Sequence, residues 1–426
     1  MNQSIKKDAF LLVNVPLLKM NHLRKSNRIK VLQKRLSDRQ IDAAILIFSR
    51  DLFYYTGTAQ PCLLLVTPDD YRLLVRRALD FVEKETFLEK EKIEDKGNLH
   101  YALNSLGSLG VRRGKLGLEL DVIPAELYLR IKNIFNNYEL TDISKNILQQ
   151  RMQKDEEEIT AIRQSCRIMD AGHQRVLETL HPGMTEIQLA AEVEYAHRRE
   201  GHEGILSMRH FDFYISRGPL SSGDNLFKVS GFANTITGIG LSSAVPAGPS
   251  HTEINNGDLI IIDIPTCYKG YHCDQTRTYF LGDPPNEVKE LFQKLRDISD
   301  QTIMFLKEGV TCREVFETAY STAKSLGVAE YFLGLQPRKG NFVGHSIGLD
   351  ANEPPIISHN SDFQLLRNFV LTIELHLTHP KHGAVKLEDV VLVMENGCHM
   401  LSITPRELFL VKGCTPHITS QTRENM

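Results

Sequence analysis

Up to residue 150, the apolar positions alternate between helical and strand-like spacing. Apolar residues at helical spacing predict a helix over residues 26–37, and the compact apolar run Ala43–Ile47 predicts a strand after it. Two further apolar runs, 62–66 and 71–75, flank a Thr-Pro-Asp-Asp turn and predict a β-hairpin. Three more helices and one more strand are predicted, the helices around 78–89, 101–109 and 124–135 and the strand over 115–120. Residues 1–150 are therefore expected to form a smaller α/β domain.

From residue 151 onward, the pattern changes to long helices followed by short strands. A charged stretch keeps its apolar residues on one face, which predicts a long amphipathic helix. Thr185, with Gln188 three residues later, is typical of an N-terminal capping box and predicts a second helix over 187–199. Short strands and glycine-rich turns follow, until a helix pair at 287–306 and 311–326. We expect residues 151–426 to form the second domain.

The composition excludes several classes of protein. The 50 Lys and Arg residues against 53 Asp and Glu residues leave a formal charge of −3, which offers no general attraction for nucleic acid or for an anionic membrane. Seven cysteines without a CxxC pair fit neither a disulfide scaffold nor a structural zinc site, so a reducing, cytoplasmic compartment is expected. The apolar stretch Ala9–Leu18 is interrupted by Asn14 and Pro16, which favours an ordinary leader over a signal peptide. No apolar run reaches the ~18 residues that a membrane span needs.

Five ionisable residues stand where a buried strand would carry a hydrophobic residue. Asp263 ends the apolar run 259–262, Asp274 follows a Lys-Gly turn, and His345, Glu374 and Glu388 lie in or beside later apolar strands. The aspartate pair alone is equally compatible with a solvated strand end. Four carboxylates in one cavity, however, repel each other strongly, whereas two divalent cations cancel their charge. The full set therefore favours a site for two divalent metal ions, with manganese first and cobalt, zinc or iron as alternatives, which could activate a water and polarise a carbonyl.

The order Asp, Asp, His, Glu, Glu, in the settings IIDIP, HCDQTRT, GHSIGL, TIEL and LEDVVLV, resembles the pita-bread metallopeptidases. That family includes Xaa-Pro aminopeptidase, prolidase, methionine aminopeptidase and the non-peptidase creatinase. The resemblance covers residues 151–412, and RDLFYYTGT at 50–58 is similar to the amino-terminal domain of the creatinase and Xaa-Pro branch. It implies an α+β chain in which a pita-bread domain follows a creatinase-type α/β domain, commonly as a homodimer.

The resemblance also implies roles for the five residues. Asp263 would bind one metal ion, Asp274 and Glu388 would bridge both ions, and His345 and Glu374 would hold the other. The implied substrate is a short peptide, or a peptide-like small molecule, cleaved at the amide before proline.

Several positions depart from the family pattern. Its proline-histidine step is Pro246-Ala247 here, and its GLxxHExP motif supplies Asn352 in place of histidine, so both usual proton-transferring imidazoles are absent. The usual arginine before the last ligand is Lys386. A positioned proton-transfer group contributes about 10² to 10⁴ in rate, so these replacements argue against peptide hydrolysis. Asn352 can still donate a hydrogen bond to a carbonyl or an oxyanion.

Two other histidines are candidates to replace the missing ones. His272 and His376 each lie two residues from a proposed ligand, so the alternation of strand side chains points each towards the same face as that ligand. For His376, together with His379 and His382, a solvated hairpin is the competing interpretation.

Three functions remain open on the sequence. The first is a dimetal hydrolase of the Xaa-Pro aminopeptidase or dipeptidase kind, with Asn352, His272 and His376 as candidate catalytic residues. The second keeps the metal but acts as a hydrolase or lyase on a C–N bond of a small molecule, which the replacements at Ala247 and Asn352 favour. The third is a catalytically inactive module that binds a peptide or a partner.

Overall fold

The computed structural model describes residues 27–213, 217–231, 235–337 and 339–412. The chain forms two compact units that divide between Arg151 and Met152. The apolar stretch Ala9–Leu18 lies outside the described residues. In the described ranges, no helix is both long and apolar enough to cross a membrane.

The first unit is built on a mixed six-stranded sheet in the order β4-β3-β2-β1-β5-β6. The strands are β1 (Ala43–Leu46), β2 (Cys62–Val66), β3 (Tyr71–Val75), β4 (Ile93–Glu94), β5 (Gly114–Leu118) and β6 (Tyr138–Asp142). The helices are α1 (27–38), α2 (Ser49–Thr56), α3 (Leu79–Glu85), α4 (Leu99–Ser108), α5 (Ala125–Ile134) and α6 (Ser144–Met152). Strands β1 and β2 are buried along their whole length, which is why their sequences are uninterrupted apolar runs. The predicted β2–β3 hairpin has the predicted bounds.

In its described residues, the second unit combines four α-helices with two sheets and a short hairpin. The helices are α7 (Glu156–Thr179), α8 (Glu186–Arg199), α9 (Asn286–Phe305) and α10 (Cys312–Ser325). One sheet, in the order β17-β11-β8-β7, contains β7 (Leu220–Ser222), β8 (Leu259–Ile262), β11 (Arg277–Leu281) and β17 (Phe409–Val411). The other, in the order β13-β12-β14-β15-β16, contains β12 (Phe342–Ser346), β13 (Glu353–Ser358), β14 (Val370–His379), β15 (Gly383–Met394) and β16 (Gly397–Met400). The hairpin pairs β9 (Thr266–Tyr268) with β10 (Tyr271–Cys273).

Local sequence signals account for the helix starts in this unit. The predicted capping box at α8 is present, since the Thr185 side chain accepts from the Gln188 backbone and the Gln188 side chain bonds back. Helices α7 and α10 begin with the same arrangement, at Asp155 and Thr311. These caps satisfy backbone N–H groups that the first helical turn leaves without partners.

The five-stranded sheet has one apolar face and one polar face at its centre. Ile373 and Leu375 of β14 and Leu387 of β15 join the core cluster formed with α9 and α10. Because strand side chains alternate, the intervening residues Glu374 and Glu388 face the other way. The fold therefore turns the ionisable positions of both strands towards one side of the sheet.

Candidate metal centre and active site

Two aspartates reach the site from the ends of short strands. Asp263 directly follows the buried strand β8, and its backbone N–H donates to the Pro219 carbonyl at 2.9 Å. The β9–β10 hairpin then reverses at Lys269 and Gly270, whose φ angles of 50° and 80° are both left-handed. Such a turn matches the twist of paired strands and returns the chain within a few residues. Asp274, directly after β10, is thereby brought into the same cavity as Asp263.

The two glutamates are direct cross-strand neighbours. Glu374 of β14 pairs with Glu388 of β15, and the next pair on the same face is His376 with Lys386. Like charges directly opposite each other destabilise a strand pair, so this register favours either a cation nearby or a proton on one of the two carboxyls.

His345 reaches the site from the neighbouring strand β12, where it pairs with Thr372 of β14. The preceding Gly344 permits this close approach, because a Cβ at that position would lie 2.1 Å from the Thr372 carbonyl oxygen. The strand pairing thus depends on the absence of a side chain next to the histidine.

These five residues line one cavity of about 410 Å³. Its walls are largely apolar, with Met208, Phe213, Phe342 and Ile356 among them, and Asn352 contributes an amide. A cavity of this size, apolar with a few convergent polar groups, is typical of a site for a small ligand.

The ligand atoms fall into two groups within the cavity. Asp274, His345 and Glu388 each offer an atom within 4.8 Å of the others, and so do Asp263, Glu374 and Glu388. Glu388 belongs to both groups. This grouping differs from the one that the resemblance implies, since Glu374 lies with Asp263 instead of with His345.

The first group fits a divalent ion. The Nδ1–H of His345 donates to the Ser346 carbonyl at 3.1 Å, which leaves the Nε2 lone pair available as a ligand. Oδ1 of Asp274 is buried and has no hydrogen-bond partner among the described residues. The Thr276 and Thr372 hydroxyls donate to the two oxygens of Glu388, at 2.7 and 2.5 Å, and so fix its orientation. A buried carboxylate oxygen without a partner is unfavourable, and a cation would satisfy it.

The second group already contains a cation. The Lys386 side chain is fully buried, and its ammonium donates to Oδ2 of Asp263. The same nitrogen lies 2.7 Å from Oε1 of Glu374 and 3.7 Å from Oε2 of Glu388. Burial acts to lower the pKa of Lys386, but Asp263 and Glu374 outweigh it and raise that pKa well above its ordinary value. Lys386 is therefore an internal counter-ion for these carboxylates.

The pKa values of the carboxyls reflect this uneven distribution of positive charge. Burial favours the neutral form of Glu374, but Lys386 and His345 outweigh it and lower its pKa to about 2. Burial and the neighbouring Glu374 instead raise the pKa of Glu388 to about 8. For Asp274, burial and Glu388 raise the pKa well above its usual range. The side of the cavity that holds Asp274 is thus the side where negative charge is least compensated.

Comparison with known proteins shows to which family the chain belongs. Residues 160–395 match metallopeptidase family M24, and residues 28–153 match the creatinase/prolidase N-terminal domain. The chain belongs to metallopeptidase family M24. The enzyme class expected from the sequence, a metallopeptidase-like hydrolase, is confirmed at this level, and so is the resemblance to the creatinase and Xaa-Pro branch.

Named relatives of this M24 chain include dipeptidases. It is 27% identical over 388 residues to an Xaa-Pro dipeptidase of Pyrococcus horikoshii, covering 90% of this chain and 99% of the relative. It is 31% identical over 273 residues to a probable dipeptidase, PepE, of Mycobacterium tuberculosis, covering 64% of this chain and 63% of the relative.

Solved structures agree with the predicted α+β fold. The X-Pro aminopeptidase of Thermotoga maritima superposes with a TM-score of 0.73 at 25% identity, covering 90% of this chain and 99% of that one. The prolidase of Pyrococcus horikoshii gives the same TM-score and identity, covering 90% and 100%. The creatinase-type domain followed by a pita-bread domain is thus confirmed for this M24 chain.

The two candidate replacement histidines lie outside the described lining of the cavity. The backbone N–H of Ser207 donates to Nε2 of His272 at 3.1 Å, and Nδ1–H of His272 donates to the Gly348 carbonyl at 3.2 Å. Burial lowers the pKa of His272 to about 4, so its ring is neutral at pH 7. The His272 ring therefore links the backbone at Ser207 to the backbone at Gly348. The expectation that it faces the pocket is wrong.

His376 is also buried, opposite Lys386 in the β14–β15 pair. Burial, followed by Lys386, lowers its pKa to about 4. The solvated-hairpin interpretation is thus wrong for His376, although His379 and His382 do lie at the hairpin turn. Ala247 is 2% exposed and is absent from the described lining, whereas Asn352 lies in it.

The main feature that the sequence left unrecognised is the position of Lys386. The sequence marks it only as a replacement for arginine, yet the spacing Lys386-Leu387-Glu388 places it on the face of Glu388 by strand alternation. A lysine inside a strand of apolar residues was the available signal. Thr235 is a second site residue that the sequence left unrecognised. It lines the cavity, and its buried hydroxyl has no hydrogen-bond partner among the described residues.

Proposed function

We propose that this M24 chain is a metal-dependent hydrolase that cleaves a short peptide or a peptide-like amide, with the amide before proline as the first candidate bond. The observation that carries the proposal is the convergence of Asp263, Asp274, His345, Glu374 and Glu388 in one cavity. The Xaa-Pro dipeptidase relative supports the substrate class. We propose residues 1–150 and 151–426 as the two domains, and manganese as the ion, before cobalt, zinc or iron.

The ion would supply Lewis acidity and lower the pKa of a water molecule. The protein's own residues provide the rest of the site. Asp274, His345 and Glu388 would hold the ion, and Thr276 and Thr372 orient Glu388. Apolar side chains of the lining, among them Met208 and Phe342, would contact a bound substrate and displace water at that contact.

Asn352 lies in the described lining and is suited to bind a substrate carbonyl. Its amide can donate a hydrogen bond, and the Thr235 hydroxyl can do the same from another part of the lining. Neither group exchanges a proton near neutral pH. Because position 352 carries an asparagine, it provides no imidazole to transfer a proton to the leaving amine. We therefore expect slow turnover of ordinary peptides.

The test is turnover by metal-loaded protein. Chain stripped with a chelator and reloaded with Mn²⁺, Co²⁺ or Zn²⁺ is incubated with X-Pro dipeptides and tripeptides, and the released amino acids are quantified. Glu388→Ala, which removes the carboxylate shared by both groups of ligand atoms, is the inactive reference, and Glu395→Ala, on an exposed turn of the same sheet, is the matched control. Turnover by the wild type and Glu395→Ala, but not by Glu388→Ala, supports the proposal. Wild-type turnover no higher than that of Glu388→Ala refutes peptide hydrolysis.

The second candidate is a hydrolase or lyase that acts on a C–N bond of a small molecule. One observation favours it: among the described residues lining the cavity, the imidazoles are His345, a candidate ligand, and His210, which is exposed. A substrate with a better leaving group than a peptide amine needs less proton transfer. A screen of small molecules whose leaving nitrogen is less basic than an amine, such as anilides and N-acyl imidazoles, with metal-loaded protein distinguishes the two functions, since this candidate predicts turnover there and none on X-Pro peptides.

The resemblance also leads us to propose a homodimer. Size-exclusion chromatography with light scattering measures the mass of the particle and decides between one chain and two.

A further inference from the structure

The carboxylates of the centre face two different kinds of environment. On one side, Asp263 and Glu374 contact the buried ammonium of Lys386. On the other, Asp274 forms no salt bridge with a cation among the described residues, and its Oδ1 has no hydrogen-bond partner among them. A centre built for two equivalent ions would leave both sides open.

The ammonium lies where a second ion would bind. Asp263, Glu374 and Glu388 offer oxygens within 4.8 Å of one another, and Nζ of Lys386 lies at bonding distance from the first two and 3.7 Å from Glu388. A divalent ion coordinated by the same oxygens would be in contact with the ammonium. Two positive charges at that distance in a buried site repel strongly, so the ion and the ammonium exclude each other.

The type of side chain matters for this exclusion. A lysine ammonium is a compact point charge with three donors, comparable in reach to a coordinated ion, whereas an arginine guanidinium is a flat fork that binds from one edge. Lys386 is also held in place, since its strand neighbours Val385 and Leu387 are anchored in the core. Its side chain is fully buried, and its ammonium contacts Asp263 and Glu374.

We propose that this chain binds one divalent ion, at Asp274, His345 and Glu388, and that the ammonium of Lys386 takes the place of the second ion. The inference rests on the metal dependence proposed above, and it replaces the two-ion centre that the resemblance implies. In this arrangement, Asp263 and Glu374 form salt bridges with the ammonium. They position it beside Glu388, which belongs to both groups of ligand atoms.

The experiment counts and locates the ions without measuring activity. Full-length chain is saturated with Mn²⁺, passed through a desalting column and analysed for bound manganese per chain, together with its electron paramagnetic resonance spectrum. The wild type is expected to hold one ion with the six-line signal of isolated Mn²⁺. Two ions with a spin-coupled signal, or no ion at all, would overturn the proposal.

Three variants assign the ion and the role of the lysine. Lys386→Met, which keeps the length of the side chain and removes its charge, is expected to bind two ions per chain, with Lys381→Met on the exposed hairpin turn as the matched control holding one. Asp274→Asn is expected to lose the ion and Asp263→Asn to keep it. One ion in Lys386→Met, or the reverse pattern for the two aspartates, contradicts the assignment. If Lys386→Met does not fold, the wild-type count and the aspartate pair still decide.

The outcome is separable from that of the proposed function. One ion per chain without turnover of X-Pro peptides retains the inference and refutes peptide hydrolysis. Two ions per chain together with turnover of X-Pro peptides would refute the inference and support peptide hydrolysis.

Discussion

The contact between Lys386 and Glu374 predicts a coupling that can be measured by unfolding. The pKa of Glu374 is about 2 in the folded chain, against its ordinary 4.5, with Lys386 the main group that lowers it. Since each pKa unit corresponds to ~1.4 kcal/mol, the ionised carboxylate is stabilised on folding by roughly 3 kcal/mol. Both side chains are almost completely buried, so solvent screening does little to reduce this interaction.

A double-mutant cycle isolates this interaction. The proteins are the wild type, Lys386→Met, Glu374→Gln and the double variant, each unfolded in urea at pH 7.5 with a chelator present. Breaking one partner of a buried pair typically costs about 3 to 5 kcal/mol, so both single variants are destabilised. The double variant is expected to be less destabilised than the sum of the two by about 1 to 3 kcal/mol, the range for residues in direct contact, because the net pKa shift of Glu374 also includes burial and His345.

The sign of the pH dependence provides a second check. Because the folded pKa of Glu374 lies below the unfolded one, its stabilisation is fully present above pH 4.5 and is lost as the pH falls from 4.5 towards 2. The coupling free energy should follow the same course. A coupling below about 1 kcal/mol at pH 7.5, or one that grows on acidification, would refute the ion pair that the structure shows.

Three further predictions concern other residues. Burial and His202 lower the pKa of His197 to about 3, so the unfolded chain takes up a proton below pH 6.5 that the folded chain does not bind. The wild type should therefore lose stability between pH 7 and pH 5. In urea unfolding, His197→Leu should lose roughly 2 kcal/mol less of its unfolding free energy over that range than the wild type. Asn352→His should raise turnover of X-Pro dipeptides by about 10² to 10⁴ if the missing imidazole limits the rate, and an unchanged rate in a steady-state assay would exclude that limit. Gly344→Ala places a Cβ 2.1 Å from the Thr372 carbonyl, so calorimetric titration should show weakened Mn²⁺ binding.

Much of the fold follows from local patterns in the sequence. The β2–β3 hairpin and the α9–α10 pair were predicted because apolar periodicity and turn residues agree there. Strand β6 was missed because three of its five residues are polar, as suits its position at the edge of the sheet. Helix α2 was missed because it buries Asp51, which pairs with Arg151, and a single sequence cannot show such a pairing.

The same limit separates the predicted and unpredicted parts of the site. Strand alternation was enough to place Glu374 and Glu388 on one face, because both lie in strands whose other face is apolar. It failed for His272, whose short strand belongs to a hairpin and whose ring bonds Ser207 and Gly348. The contact between Lys386 and Asp263 depends on packing between two sheets, which periodicity within one strand cannot reveal.

The register of strands β14 and β15 constrains how this centre can change over evolution. Glu374, His376, Lys386 and Glu388 share a face only because each strand keeps its side-chain alternation through the pair. Deleting one residue within a strand would rotate every later side chain to the opposite face and carry the charged groups into the apolar core. Insertions and deletions inside the hairpin should therefore be eliminated more strictly than exchanges of single side chains, whereas the turn around Lys381 can vary in length.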